Sequence, residues 1–138
     1  MHYRVLIFDN DTTELNPLKI LLKAKGYEIR SYPDPASCPL ISDKHLTSNG
    51  ISLPADFIIS NVTSPLHSNL ELIEDLKRKN FKIKNVAILS GDFREEEINK
   101  VVEMGCRVFP KPVSLSTVLS WLDDREKNIP GDRKLLKY

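Results

Sequence analysis

The chain has 138 residues, 41% of them hydrophobic and 28% charged, with a formal net charge of +1. That length and balance suit one globular domain with a single core and leave no room for a second. Charge near neutrality gives no electrostatic drive towards nucleic acid or a membrane surface. The opening apolar run, Val5-Leu6-Ile7-Phe8, is too short for a secretory signal or a membrane span, so the expected location is the cytoplasm. Cys38 and Cys106 have neither C-x-x-C spacing nor a neighbouring histidine pattern. They read as reduced structural thiols and support neither a zinc site nor a disulfide framework.

Residues 3–8 form a short β-branched and aromatic run that stops at the polar stretch Asp9-Asn10-Asp11-Thr12-Thr13, the pattern of a buried strand entering a loop. Leu15, Leu18, Leu21 and Leu22 then recur at helical spacing, with Pro17 in the first turn and Gly26 as the stop. Residues 27–32 read as a second strand. Residues 33–54, with four prolines and Asn49-Gly50, read as an irregular segment holding at most one short helix around 42–47. Residues 57–60 resume the buried-strand signal, and a helix opened by Ser68 or Asn69 carries Leu70, Ile73 and Leu76.

A fourth strand is expected at 86–89. Asp92 and Glu95 have capping-box spacing before a helix with Ile98, Val101 and Val102, ended by Gly105. Val108-Phe109 is a short fifth strand, and Ser114 caps a final helix whose inward stripe holds Leu115, Val118, Leu119, Trp121 and Leu122. Five β-α repeats with apolar strands imply a parallel sheet covered on both faces, with its site at the carboxyl ends of the strands. Residues 1–124 make the domain. Residues 125–138, with Pro130-Gly131 and the basic Arg133, Lys134 and Lys137, read as a frayed and solvated C-terminal tail.

Four loops converge at that end: Asp9-Asn10-Asp11, Asn61 to Pro65, Ser90-Gly91 and Lys111-Pro112. In order and spacing they resemble the receiver domain of two-component response regulators, the CheY-like superfamily, over residues 3–124. The resemblance implies a flavodoxin-like (βα)5 fold, doubly wound around a five-stranded parallel sheet. It places Asp9 and Asn10 at the acidic-pocket positions, Asn61 at the phosphoacceptor position and Pro65 at the proline four residues later. Thr63 falls at the position whose backbone carbonyl ligates the metal, Ser90 at the switch hydroxyl and Lys111 at the pocket lysine. Val108 stands where receivers carry a switch aromatic, and Phe109 takes that place if the register is offset by one.

Where the family has carboxylates, this chain has amides at Asn10 and Asn61. A carboxamide oxygen is a neutral acceptor and its nitrogen lone pair is delocalised, so acyl-phosphate chemistry at Asn61 is expected to be absent. Mg2+ relies on hard oxygen ligands, usually with one or two carboxylates. With Asp9 as the only expected carboxylate facing Lys111, no cofactor is expected and Mg2+ binding should be weak or absent, leaving Asn10, Asn61 and Thr63 as vestigial metal positions. Ser60 alternates away from the pocket and makes a poor substitute nucleophile. His67 and His45 read as solvated.

The resemblance implies an atypical single-domain response regulator, a pseudo-receiver in bacterial phosphorelay signal transduction. It would act without catalysis, by phosphorylation-independent binding to a histidine kinase, another receiver or a pathway protein. The contact face implied is the fourth helix, fifth strand and fifth helix, through which a homodimer is also possible. Two alternatives stay open: an Mg2+-dependent phosphotransfer receiver with another acceptor, and a flavin-binding or enzymatic protein on the same fold. Asp9 and Asp11 in the first loop disfavour a flavin phosphate.

Overall fold

A computed structural model describes residues 2–9, 11, 14–33, 37–42, 52–61, 69–78, 84–91 and 95–138. Five strands, β1 (Arg4–Asp9), β2 (Glu28–Tyr32), β3 (Phe57–Asn61), β4 (Val86–Ser90) and β5 (Arg107–Pro110), form one sheet in the order β2-β1-β3-β4-β5. Every pairing is parallel. Between and after them run α1 (Asn16–Ala24), α2 (Pro39–Ser42), α3 (Asn69–Arg78), α4 (Glu95–Glu103) and α5 (Leu115–Glu126). The flavodoxin-like (βα)5 arrangement implied by the resemblance is the one observed.

Strand alternation divides the core in two. Val5, Ile7, Phe57, Ile59, Ala87, Leu89 and Phe109 pack with Leu18 and Leu22 of α1 and with Val118 and Leu122 of α5. Leu6, Phe8, Ile58, Val86 and Ile88 pack on the other face with Leu40, Ile73, Leu76 and Val101 from α2, α3 and α4. Strands buried on both faces explain the near-continuous apolar runs in the sequence. Gly26 and Gly105 end α1 and α4 with φ of 88° and 89°, the left-handed conformation that an L side chain resists.

Helix ends follow local chemistry. Ser114 Oγ accepts the Thr117 N–H at 3.4 Å to cap α5, and Pro17 occupies the first turn of α1. The capping pair expected for α4 includes Asp92, which lies outside the described residues, as do Pro65, His67 and His45. A short helix, α2, occupies Pro39–Ser42, with Cys38 and Leu40 fully enclosed in the core beside α3 and α4. Residues 43–47, where a short helix was expected, lie outside the described residues.

Residues 125–138 are not the frayed tail expected from their composition. After α5 the chain turns and lies along the end of the sheet where β1 and β3 begin. Leu53 and Leu135 form a parallel bridge, with Leu53 N–H donating to Lys134 O at 2.8 Å and Leu136 N–H to Leu53 O at 2.7 Å. Arg133 grips the fully buried Asp56 carboxylate through Nε and Nη2, both at 2.7 Å, while the Arg4 N–H donates to the same carboxylate at 2.9 Å. This contact holds the Arg133 guanidinium above its ordinary pKa. Tyr138 donates its hydroxyl to Pro54 O at 2.9 Å and lies against the Arg30 guanidinium, 4.4 Å from ring centroid to Cζ. Burial pushes its phenol pKa up. The basic residues that suggested solvation are in part the ones that anchor the segment.

Candidate functional site

At the opposite end of the sheet, β1 and β3 finish side by side with Asp9 in register with Asn61. Alternation points both side chains to the α1 and α5 face, since they continue the rows Val5-Ile7 and Phe57-Ile59. Asp9 is 2% exposed and Asn61 is 0% exposed. Ser60 belongs to the other row, that of Ile58, and so projects to the opposite face of the sheet, away from Asn61.

The polar contacts are specific. Asp9 Oδ1 accepts from the Asp11 N–H at 3.0 Å and from Asn61 Nδ2 at 3.1 Å. The second Nδ2 proton of Asn61 goes to Glu14 Oε2 at 3.1 Å, and Lys111 Nζ donates to that same oxygen at 3.1 Å. Lys19 of α1 brings its ammonium within 3.9 Å of Asp9 Oδ2. The orientation of the Asn61 amide follows from chemistry: with two carboxylates on one side, only the donor end can face them. Asn61 Oδ1 and Asp9 Oδ2 are buried without a hydrogen-bond partner among the described residues.

The third and fourth loops arrive as expected. Ser90 ends β4 in register with Pro110, and its carbonyl accepts the Lys111 N–H at 2.9 Å. Gly91 lies beside the Lys111 side chain, and the Lys111-Pro112 peptide is cis. Asp9, Asn61 and Lys111 are thus linked through Asn61 and Glu14 at this end of the sheet, with Ser90 tied to Lys111 through its backbone carbonyl. Asn10 and Thr63 lie outside the described residues.

One expectation is corrected. Asp9 is not the only carboxylate facing Lys111, because Glu14 lies between Lys111 and Asn61 and is the group that Lys111 engages. Its signal in the sequence was an acid one residue ahead of the first helical leucine, the same signal that ordinary helix starts give. Val108 and Phe109, the two candidates for the switch-aromatic place, lie in opposite layers. Consecutive strand residues face opposite ways, so Val108 packs half-buried on the α4 side, while Phe109 is buried on the α5 side, 5.8 Å from the Trp121 ring.

Among the described residues the donor set is a poor match to Mg2+. The dication seeks oxygen ligands and uncompensated negative charge, but here the two carboxylates in contact, Asp9 and Glu14, face two ammonium groups, Lys19 and Lys111. Asn61 also presents N–H donors to both carboxylates. Among the described residues no group of three His, Cys, Asp or Glu side chains is arranged to hold a metal. Cys38 and Cys106 are both buried and form no disulfide, and burial raises the Cys106 thiol from 9.0 to about 11, partly offset by Lys77. Among the described residues no helix is long and apolar enough to cross a membrane.

No family model matches the chain, and no curated protein matches it in sequence. Solved structures do match in fold. The N-terminal domain of an uncharacterized protein from Wolinella succinogenes has a TM-score of 0.73 at 22% identity, over 91% of this chain and 95% of that one. A response regulator from Desulfuromonas acetoxidans has a TM-score of 0.69 at 20% identity, over 93% of this chain and 99% of that one. The chemotaxis response regulator CheY4 of Vibrio cholerae gives 0.69 at 20% identity, over 91% and 99%. The chain thus has the fold shared by response regulator receiver domains, with an amide at the end of its central strand.

Proposed function

We propose that the protein is an atypical receiver, a non-enzymatic module of cytoplasmic two-component signalling that works by phosphorylation-independent binding to another protein. The observation that supports this most strongly is the Asn61 amide, fully buried and hydrogen-bonded to both Asp9 and Glu14. Acyl-phosphate formation requires an anionic oxygen nucleophile, and Asn61 has none to offer. Lys111, the cation that would meet a transferred phosphoryl group, is already paired with Glu14. The alternative acceptor Ser60 lies on the wrong face of the sheet, which disfavours the phosphotransfer reading.

The partner would be a histidine kinase, another receiver or a pathway protein, bound at the face made by α4, β5 and α5. That face carries the exposed Val102 of α4, 52% accessible, and an open groove of ≈ 570 Å³ lined by Arg107, Ser116, Thr117, Ser120, Trp121 and Asp124. A half-buried tryptophan beside an arginine is the kind of anchor that protein interfaces favour. The test is intact-mass measurement after incubation with acetyl phosphate and Mg2+. The unmodified mass is expected, and a stoichiometric phosphoryl adduct within the pocket would overturn the reading.

A further inference from the structure

We propose that Asn61 Nδ2 and Lys111 Nζ form an oxyanion-binding site that the chain fills with its own Glu14 carboxylate. This inference rests on the pocket being a recognition element without transfer chemistry. An ammonium and a primary amide converge on one oxygen, Glu14 Oε2, each at 3.1 Å. A charged donor paired with an oriented neutral donor is a set that selects an anionic oxygen. The donors belong to the frame: Asn61 is fully buried at the end of β3, and Lys111, with a side chain 19% exposed, has its backbone N–H fixed on the Ser90 carbonyl. The occupant belongs to the rim, since Glu14 is 31% exposed and sits ahead of α1.

Charge balance shows what the occupant does. Asp9 shares the other Asn61 proton and has Lys19 at 3.9 Å, so its charge is locally offset. Glu14 offsets Lys111. Without the Glu14 carboxylate the contacting groups hold one excess positive charge, aimed at the place the carboxylate left. A small oxyanion such as inorganic phosphate carries the oxygen and the charge that the place demands. Glu14 is thus a tethered ligand that excludes such anions from the pocket and fixes Lys111 in one arrangement.

The experiment titrates inorganic phosphate into the wild type, Glu14→Ala, Glu14→Gln and the Glu14→Ala/Lys111→Ala pair, by calorimetry in phosphate-free buffer, with circular dichroism to establish folding. Glu14→Ala is expected to bind phosphate at least about tenfold more tightly than the wild type, a modest share of what one close charge contributes near a protein surface. The gain should vanish when Lys111 is also removed. A folded Glu14→Ala that binds no more tightly than the wild type overturns the proposal, as does a gain that survives loss of Lys111. If Glu14→Ala does not fold, the neutral and nearly isosteric Glu14→Gln answers the same question on the same criterion. A phosphoryl adduct on the wild type would defeat the interaction-module reading without altering the outcome of this titration.

Discussion

Replacing Arg133 by alanine should destabilise the protein far more than its place near the C-terminus suggests. Asp56 has a side chain with no exposure, and its carboxylate takes two 2.7 Å hydrogen bonds from Arg133 and one of 2.9 Å from the Arg4 backbone. Without the guanidinium, a buried carboxylate keeps a single N–H partner and no adjacent counter-charge from Arg133. Breaking a buried ion pair by removing one partner costs about 3–5 kcal/mol. Domains of this size have about 5–15 kcal/mol in total, and about 4 °C of melting temperature per kcal/mol gives a fall of about 10–20 °C. Arg133→Lys should recover part of this, since a point charge cannot reproduce the two-pronged contact. Thermal melts followed by circular dichroism, with the exposed Arg125→Ala as control, decide the matter. If Arg133→Ala melts within about 2 °C of that control, residues 133–138 are not seated on the sheet and the argument fails.

Asn61→Asp would place a third carboxylate beside Asp9 and Glu14, where like charges within hydrogen-bonding distance repel. The variant should lose about 2–4 kcal/mol of stability in chelator and recover much of it in Mg2+, whereas the wild type should respond little to the ion. Equal melting temperatures of variant and wild type in chelator would count against the pocket geometry. Cys106 gives a pH dependence. Its thiol keeps its proton to about 11 in the folded state against an ordinary 9.0, so the folded chain holds the proton more tightly. The stability this confers is complete below pH 9 and is lost as pH rises towards 11, by about 2–3 kcal/mol. Denaturant unfolding across that window should show a steeper decline for the wild type than for Cys106→Ala, and parallel curves would refute the assignment.

The parts of the fold written in local pattern were legible. Alternating apolar runs gave five strands, helical spacing of leucines and valines gave the long helices, and glycines marked two helix ends. The convergence of residues 9, 61, 90 and 111 followed because strand carboxyl ends in a parallel sheet meet at one edge. Side-chain direction in β5 was also available: in any strand Val108 and Phe109 must face opposite layers. Contacts that depend on long-range placement were not legible. Nothing near Arg133 announces Asp56, 77 residues away, and nothing near Glu14 announces Asn61, 47 residues away.

Trp121 is the single tryptophan of the chain, and its indole sits edge-on to Phe57 and Phe109 at 5.8 Å from each. Phe57 opens the same strand that Asn61 closes. Emission from that indole is therefore an intrinsic gauge of whether α5 stays seated on the central strand. An alteration at the far end of that strand that unseats α5 can be followed optically, without attaching a dye.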